Sequence, residues 1–246
     1  MLSAVVAAAT IGGACWGTVL PGLVDRYAVP WPDGAPKPAW RQACPYCGAD
    51  RSPWWRSSGR CPACRRRPSP GWWLTVPLSA ALFAVTAAAV RPGPSLPAFL
   101  WLAAIAVPLA LVDLKVLRLP DPLVGAALAG GLVLLAVAAA VERTATPLLR
   151  AGAAAVVCAA GYLLVSLLPR SGLGLGDVKL GAVLGLYLGW LGWFAVAAGV
   201  ALAPVVNLPF VLGLLVAGRA GRRTELPYGP AMLAGAMLAL VVGTLR

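Results

Sequence analysis

The chain contains no histidine. That absence removes a Ser-His-Asp triad, a Cys-His pair and a HExxH zinc hydrolase together. Charge of either sign is scarce: 11% of the 246 residues are charged, where a soluble domain carries about 25%. Acids are scarcest, eight against twenty lysines and arginines, for a net charge of +12. Lysine occurs only at Lys37, Lys115 and Lys179, which leaves a Ser-Lys dyad few places to form. What is abundant is apolar: 60% of residues are hydrophobic, in runs long enough to cross a bilayer.

These runs predict an all-α, polytopic integral membrane protein with about eight transmembrane helices. They fall near 2–23, 72–90, 97–113, 122–141, 150–168, 178–191, 194–217 and 228–245. The first lacks a basic segment before it and reads as a retained helix, not a cleaved signal peptide. Residues 180–218 form one apolar stretch, divided here at "GWLGW". Pro204, Asn207 and Pro209 predict a kinked or interrupted seventh helix, because proline removes a backbone donor. Three regions follow: the first helix (1–23), a cytoplasmic loop (24–71) and a membrane core (72–246).

With the N-terminus outside, the segments 24–71, 113–121, 169–179 and 218–227 lie inside and hold nine, two, two and three of the twenty basic residues. Only Arg91, Arg143, Arg150 and Arg246 remain outside, in accord with the positive-inside tendency. Topology therefore explains the positive charge, and no nucleic-acid partner is expected. Trp72, Trp73, Trp190 and Trp193 fall near expected span ends, where aromatic belts form. Cys15 and Cys158 lie within spans and read as packing residues.

Two acids abut apolar runs on the inside: Asp113 in "LALVDLKVLRLPDPLV" and Asp177 in "SGLGLGDVKL". Asp121, between two prolines, reads as a turn residue. A carboxylate at membrane depth costs a few kcal/mol, about 2.5–3.5 on insertion scales, and marks a functional site by default. Two such groups close together share a proton; one activates water while the other, protonated, polarises a carbonyl. Glycines before Asp177 would let a substrate backbone approach closely. Interfacial charges balanced by Lys115 and Lys179 are the plain alternative, and a carboxylate transporter is another. "GLGLGD" lacks the βαβ context of a phosphate loop.

The loop "CPYCGADRSPWWRSSGRCPACRRR" pairs Cys44 with Cys47 and Cys61 with Cys64 across thirteen residues. Two CxxC knuckles in a reducing compartment predict a structural zinc with four thiolate ligands. A non-catalytic zinc-loop scaffold is therefore a third reading.

Taken in order, these stretches resemble type IV prepilin peptidases, a family of membrane GxGD-type aspartyl proteases. "GLGD" at Gly174–Asp177 with Val178, Lys179 and Leu180 is similar to their GxGDxKL motif. Asp113 followed by Leu119-Pro120-Asp121 resembles their first aspartate motif. "LPYGPAML" resembles a last-span motif usually written apolar-Pro-Phe-Gly-Pro, and the paired-cysteine loop is a family feature. The resemblance implies cleavage of a short basic leader from prepilins or pseudopilins, after a glycine, at the cytoplasmic face of the bacterial inner membrane. It implies Asp113 and Asp177 as the catalytic pair, and Gly174, Gly176 and Lys179 as support for the active-site loop. It implies zinc on Cys44, Cys47, Cys61 and Cys64. Many members also methylate the new N-terminus with S-adenosylmethionine. Here Val76-Pro77-Leu78-Ser79-Ala80 replaces a Tyr-Pro-Leu-Val-Glu run, and the missing glutamate belongs to the methylating half. The resemblance thus implies proteolysis more firmly than methylation, and S-adenosylmethionine enters only if methylation is retained.

Overall fold

A computed structural model describes residues 2–29, 40–41, 43–44, 46–50, 61, 63–66, 70–169, 172–216 and 227–244. The middle of the cysteine loop (51–60) and the basic segment expected at 218–227, up to residue 226, lie outside the described residues.

Eight α-helices make up the described fold: α1 (Leu2–Tyr27), α2 (Trp72–Val90), α3 (Leu96–Val116), α4 (Asp121–Glu142), α5 (Thr146–Ser166), α6 (Leu175–Leu191), α7 (Trp193–Val216) and α8 (Gly229–Thr244). All eight expected helices are present. Six of them, α1 to α5 and α7, are long and apolar enough to cross a membrane, so the chain is a multi-pass membrane protein. α6 and α8, at 17 and 16 residues, are shorter. Six spans are therefore supported by length and composition among the described residues.

α1 packs on α2, α5 on α6 and α7 on α8, each pair consecutive in sequence. α3 and α6 lie innermost. Of the most apolar window of α3, 61% is buried, against 17% in α1 and α5. α6 is buried almost without interruption from Leu180 to Trp190. The two meet where the Phe99 and Tyr187 rings pack edge-on, 5.7 Å between centroids. The Tyr187 hydroxyl donates to the Ala127 carbonyl of α4 at 2.9 Å, so three helices are fixed at one point. Gly181, Gly185 and Gly189 recur every four residues on α6 and let Tyr162 and the α5 backbone approach; a Cβ at Gly185 would stand 2.6 Å from the Ala154 carbonyl oxygen.

The division at "GWLGW" is real. Gly192 ends α6 with φ +145°, a conformation that residues with a Cβ rarely adopt. The Arg150 guanidinium donates to the carbonyls of Gly189 and Trp190 and so satisfies acceptors left open at that helix end. Of the kinked or interrupted helix expected here, the interruption is not found: α7 is one continuous helix through Pro204 and Pro209. Trp190 also departs. It is a core residue, while Trp72, Trp73 and Trp193 are exposed at helix starts. Cys158 is buried as expected, but Cys15 faces outward from α1.

Candidate active site and metal centre

Asp113 lies in the last turn of α3 and is 4% exposed. Its Oδ2 accepts the Gly229 backbone N–H at 3.1 Å, which ties the end of α3 to the start of α8. The fit is close: a Cβ on Gly229 would lie 2.8 Å from that same oxygen. The Asp113 carbonyl accepts the Leu117 N–H at 2.8 Å, and Leu117 turns the chain out of the helix at φ 53°, ψ 34°. A leucine in this left-handed region stores roughly 1–3 kcal/mol of strain, as backbones beside functional sites often do.

Asp177 occupies the third position of α6. Its Oδ2 accepts the Gly174 N–H at 3.0 Å, the carboxylate half of a capping box, and its charge faces the positive end of the helix dipole. Local structure alone therefore accounts for an acid at this position. Its placement adds more. Asp113 and Asp177 line one cavity of about 660 Å³ that is open to solvent.

Leu117, Arg118, Leu119, Asp121 and Tyr228 also line the cavity, together with the chain from Gly172 to Asp177 and Lys179. Gly174 and Gly176 are not forced by packing: a Cβ on either would meet no protein atom closer than 3.4 Å. Lys179 Nζ pairs with Asp121 Oδ1 at 2.8 Å, joining the N-terminal parts of α6 and α4. Asp121 is thus the first residue of α4 and part of the cavity wall, not only a turn residue. This role is not legible in the sequence, nor is the placement of Tyr228 and Gly229, although the last-span motif contains both.

The four cysteines converge away from this cavity. Their sulfur atoms all lie within 4.8 Å of one another, and Cys44–Cys64 and Cys47–Cys61 are each 3.7 Å apart. Zn–S bonds of about 2.3 Å in a tetrahedron imply S···S edges of about 3.8 Å, so the thiols fit a zinc ion. Two equivalent turns bring them there. Gly48 N–H donates to the Cys44 carbonyl and Arg65 N–H to the Cys61 carbonyl, both at 2.9 Å, and Gly48 and Arg65 both have positive φ. The Arg66 guanidinium lies over the Tyr46 ring of the other turn, 4.7 Å from its centroid. Backbone N–H of Cys64, and then of Ala63, draws the Cys61 thiol down to about 6 against the effect of burial. In the same cluster the Ala49 N–H draws Cys47 down, but burial and the neighbouring thiols raise it to about 11, so the thiolate a metal requires is favoured at Cys61 and not at Cys47.

The sequence model of the type IV leader peptidase family matches residues 96–218, which include both aspartates. The chain belongs to the type IV leader peptidase family. Curated relatives named prepilin leader peptidase/N-methyltransferase bear this out. The protein from Aeromonas salmonicida (strain A449) is 32% identical over 219 residues, covering 82% of this chain and 72% of its own length. The Bacillus subtilis (strain 168) protein is 28% identical over 217 residues, 82% of each chain. The Burkholderia pseudomallei (strain K96243) protein is 32% identical over 222 residues, 83% of this chain and 68% of its own. No solved structure matches. Within the family segment, α3 and α6 carry Asp113 and Asp177, and α4 carries Asp121.

Proposed function

We propose that this chain is a membrane aspartyl endopeptidase that removes the basic leader of a prepilin or pseudopilin after a glycine. Its active site would face the cytoplasm of a bacterial inner membrane, with the N-terminus outside. The observation that carries the reading is the single cavity lined by Asp113 and Asp177. In the mechanism, one carboxylate is ionised and takes a proton from water as the water adds to the scissile carbonyl. The other is protonated, hydrogen-bonds the carbonyl oxygen, and a proton passes to the leaving amine. Gly174 and Gly176 leave the cavity wall low enough for a substrate backbone, and Lys179 braces the loop through Asp121.

Cys44, Cys47, Cys61 and Cys64 would hold zinc. Four thiolates close a tetrahedral shell, so the ion would order the cytoplasmic loop and take no part in hydrolysis. The relatives' names include N-methyltransferase. Methylation by this chain would need S-adenosylmethionine, and Ala80 stands where the resemblance expects a glutamate.

The test co-expresses a prepilin encoded by the same organism with the wild type, Asp113→Asn or Asp177→Asn in a host lacking its own peptidase, and reads the substrate's mass. Leader loss with the wild type alone, all three proteins being membrane-inserted, is expected. Cleavage surviving in both variants would overturn the dyad. A product heavier by one methyl group would assign methylation as well. The transporter alternative would show flux without cleavage.

A further inference from the structure

Cleavage after a glycine asks the cavity to tell glycine from every residue that carries a Cβ. The difference is a single carbon. The carbonyl under attack belongs to the residue before the cut, so a Cβ there stands two bonds from the reacting atom. The space between the two carboxylates therefore decides which residue is accepted.

Four leucines line the cavity: Leu117, Leu119, Leu173 and Leu175. Leu117 and Leu175 are exposed, whereas Leu119 packs against the core. Leu119 also stands against the glycines beside both aspartates. On one side is Gly176, which precedes Asp177; a Cβ there would meet Leu119 Cβ at 3.4 Å and Cδ1 at 3.6 Å. On the other is Gly229, whose N–H is held by Asp113. A Cβ there would meet Leu119 Cδ2 at 3.2 Å and Asp113 Oδ2 at 2.8 Å. One methyl of Leu119 thus faces the Asp177 side and the other the Asp113 side. Its isobutyl group forms the wall between the dyad's two halves.

That wall is fixed. Pro120 follows Leu119 and confines its backbone to the extended region. The Pro120 carbonyl accepts the Leu123 and Val124 N–H groups at 3.0 and 3.1 Å, which anchors it to the first turn of α4. A side chain held in this way does not yield to an added carbon without strain.

We infer that Leu119 sets the specificity for glycine: its side chain fills the volume that a Cβ on the residue before the cut would need. A larger residue keeps its carbonyl between Asp113 and Asp177 only by pressing on Leu119. Otherwise it rides off the wall and takes the carbonyl away from the carboxylates. This rests on the peptidase reading above.

The experiment uses two designed prepilin-type proteins, each a basic leader followed by an apolar helix. They differ only in glycine or alanine before the cut. Both compete for the full-length enzyme in one membrane preparation, and the products are separated by mass. The ratio of cleavage rates gives the ratio of kcat/KM, whatever fraction of the enzyme is folded. Wild type should prefer glycine by at least about 10-fold. Leu119→Ala should bring the preference to within about threefold. Leu119→Val removes one carbon, suits an extended backbone and should fall between. Leu175→Ala, on the same cavity, should keep the wild-type preference. A role in packing alone would slow both substrates by the same factor. The inference is overturned if wild type cuts both substrates equally, if both Leu119 variants keep the wild-type preference, or if Leu175→Ala relaxes it as much. Those outcomes leave the dyad standing. Wild-type cleavage by Asp113→Asn would instead remove the dyad, and the wall with it.

Discussion

Asp113 lies in the last turn of a helix whose inner face is buried along most of its length, while Cys44 and Cys61, among the described residues, are brought together by two tight turns. The first site inherits its geometry from the packing of α3, α6 and α8. The second takes its geometry from two local turns that bring four thiols together. A site built on packed helices keeps its shape when its chemistry is removed. A site built on metal ligands loses its shape when one ligand goes. Mutations in the two regions should therefore separate chemistry from folding in opposite ways.

The largest effect is expected at the proposed dyad. Asp113→Asn or Asp177→Asn should lower kcat by at least about 10³-fold, with helical content and membrane insertion unchanged. With chemistry rate-limiting, the wild type should show a rate that rises and then falls with pH if the two carboxylates of this cavity act as the proposed proton-sharing dyad. A flat profile across the carboxylate range would break the dyad half of the comparison.

Gly229→Ala comes next. The added Cβ would meet Asp113 Oδ2 at 2.8 Å and Leu119 Cδ2 at 3.2 Å. The carboxylate must give way, and a misplacement of about 1 Å can cost about 10²-fold. The loss should fall on kcat and not on KM. Unaltered kinetics would mean that Asp113 is not held where the packing puts it.

In the cysteine loop, Cys61→Ser should abolish zinc binding and open residues 24–71 to protease while α3 to α8 keep their helical signal. Metal analysis and limited proteolysis in membranes check both. Chelation of the wild type should reproduce the change. Loss of the whole fold on chelation would erase the contrast between the two regions.

How much of this was legible in the sequence depends on whether a feature is local. Asp113 and Asp177 stood out because a charge beside an apolar run is costly anywhere. The break at Gly192 was legible because two glycines and two tryptophans interrupt an otherwise continuous run, and the four cysteines because ligand spacing is itself local. What lay hidden was nonlocal or faceless. The Lys179–Asp121 pair spans 58 residues, and nothing in "LPDP" names its partner. Gly229 reads as motif until Asp113 is found on its N–H. Trp190 reads as an interfacial residue because it falls near an expected span end, but α6 is apolar on every side, so periodicity cannot say which way it faces, and its neighbours bury it. Cys15 shows the reverse: an apolar stretch tells a residue's depth in the membrane, not whether it faces lipid or protein.

The smallest effect sharpens the comparison from within the cavity. The Lys179–Asp121 pair is short, 2.8 Å, but its side chains are 55% and 39% exposed. Water screens such a pair, and its contribution should be about 0.2–1 kcal/mol. Lys179→Ala should therefore change kcat by less than about fivefold, and raised salt should produce a similar change in the wild type but not in the variant. The pair would then brace a loop that α4 and α6 already position. A loss on the order of 10²-fold, insensitive to salt, would carry a different meaning: Lys179 would be contacting substrate directly, and the cavity wall would be part of the machinery and not only its frame.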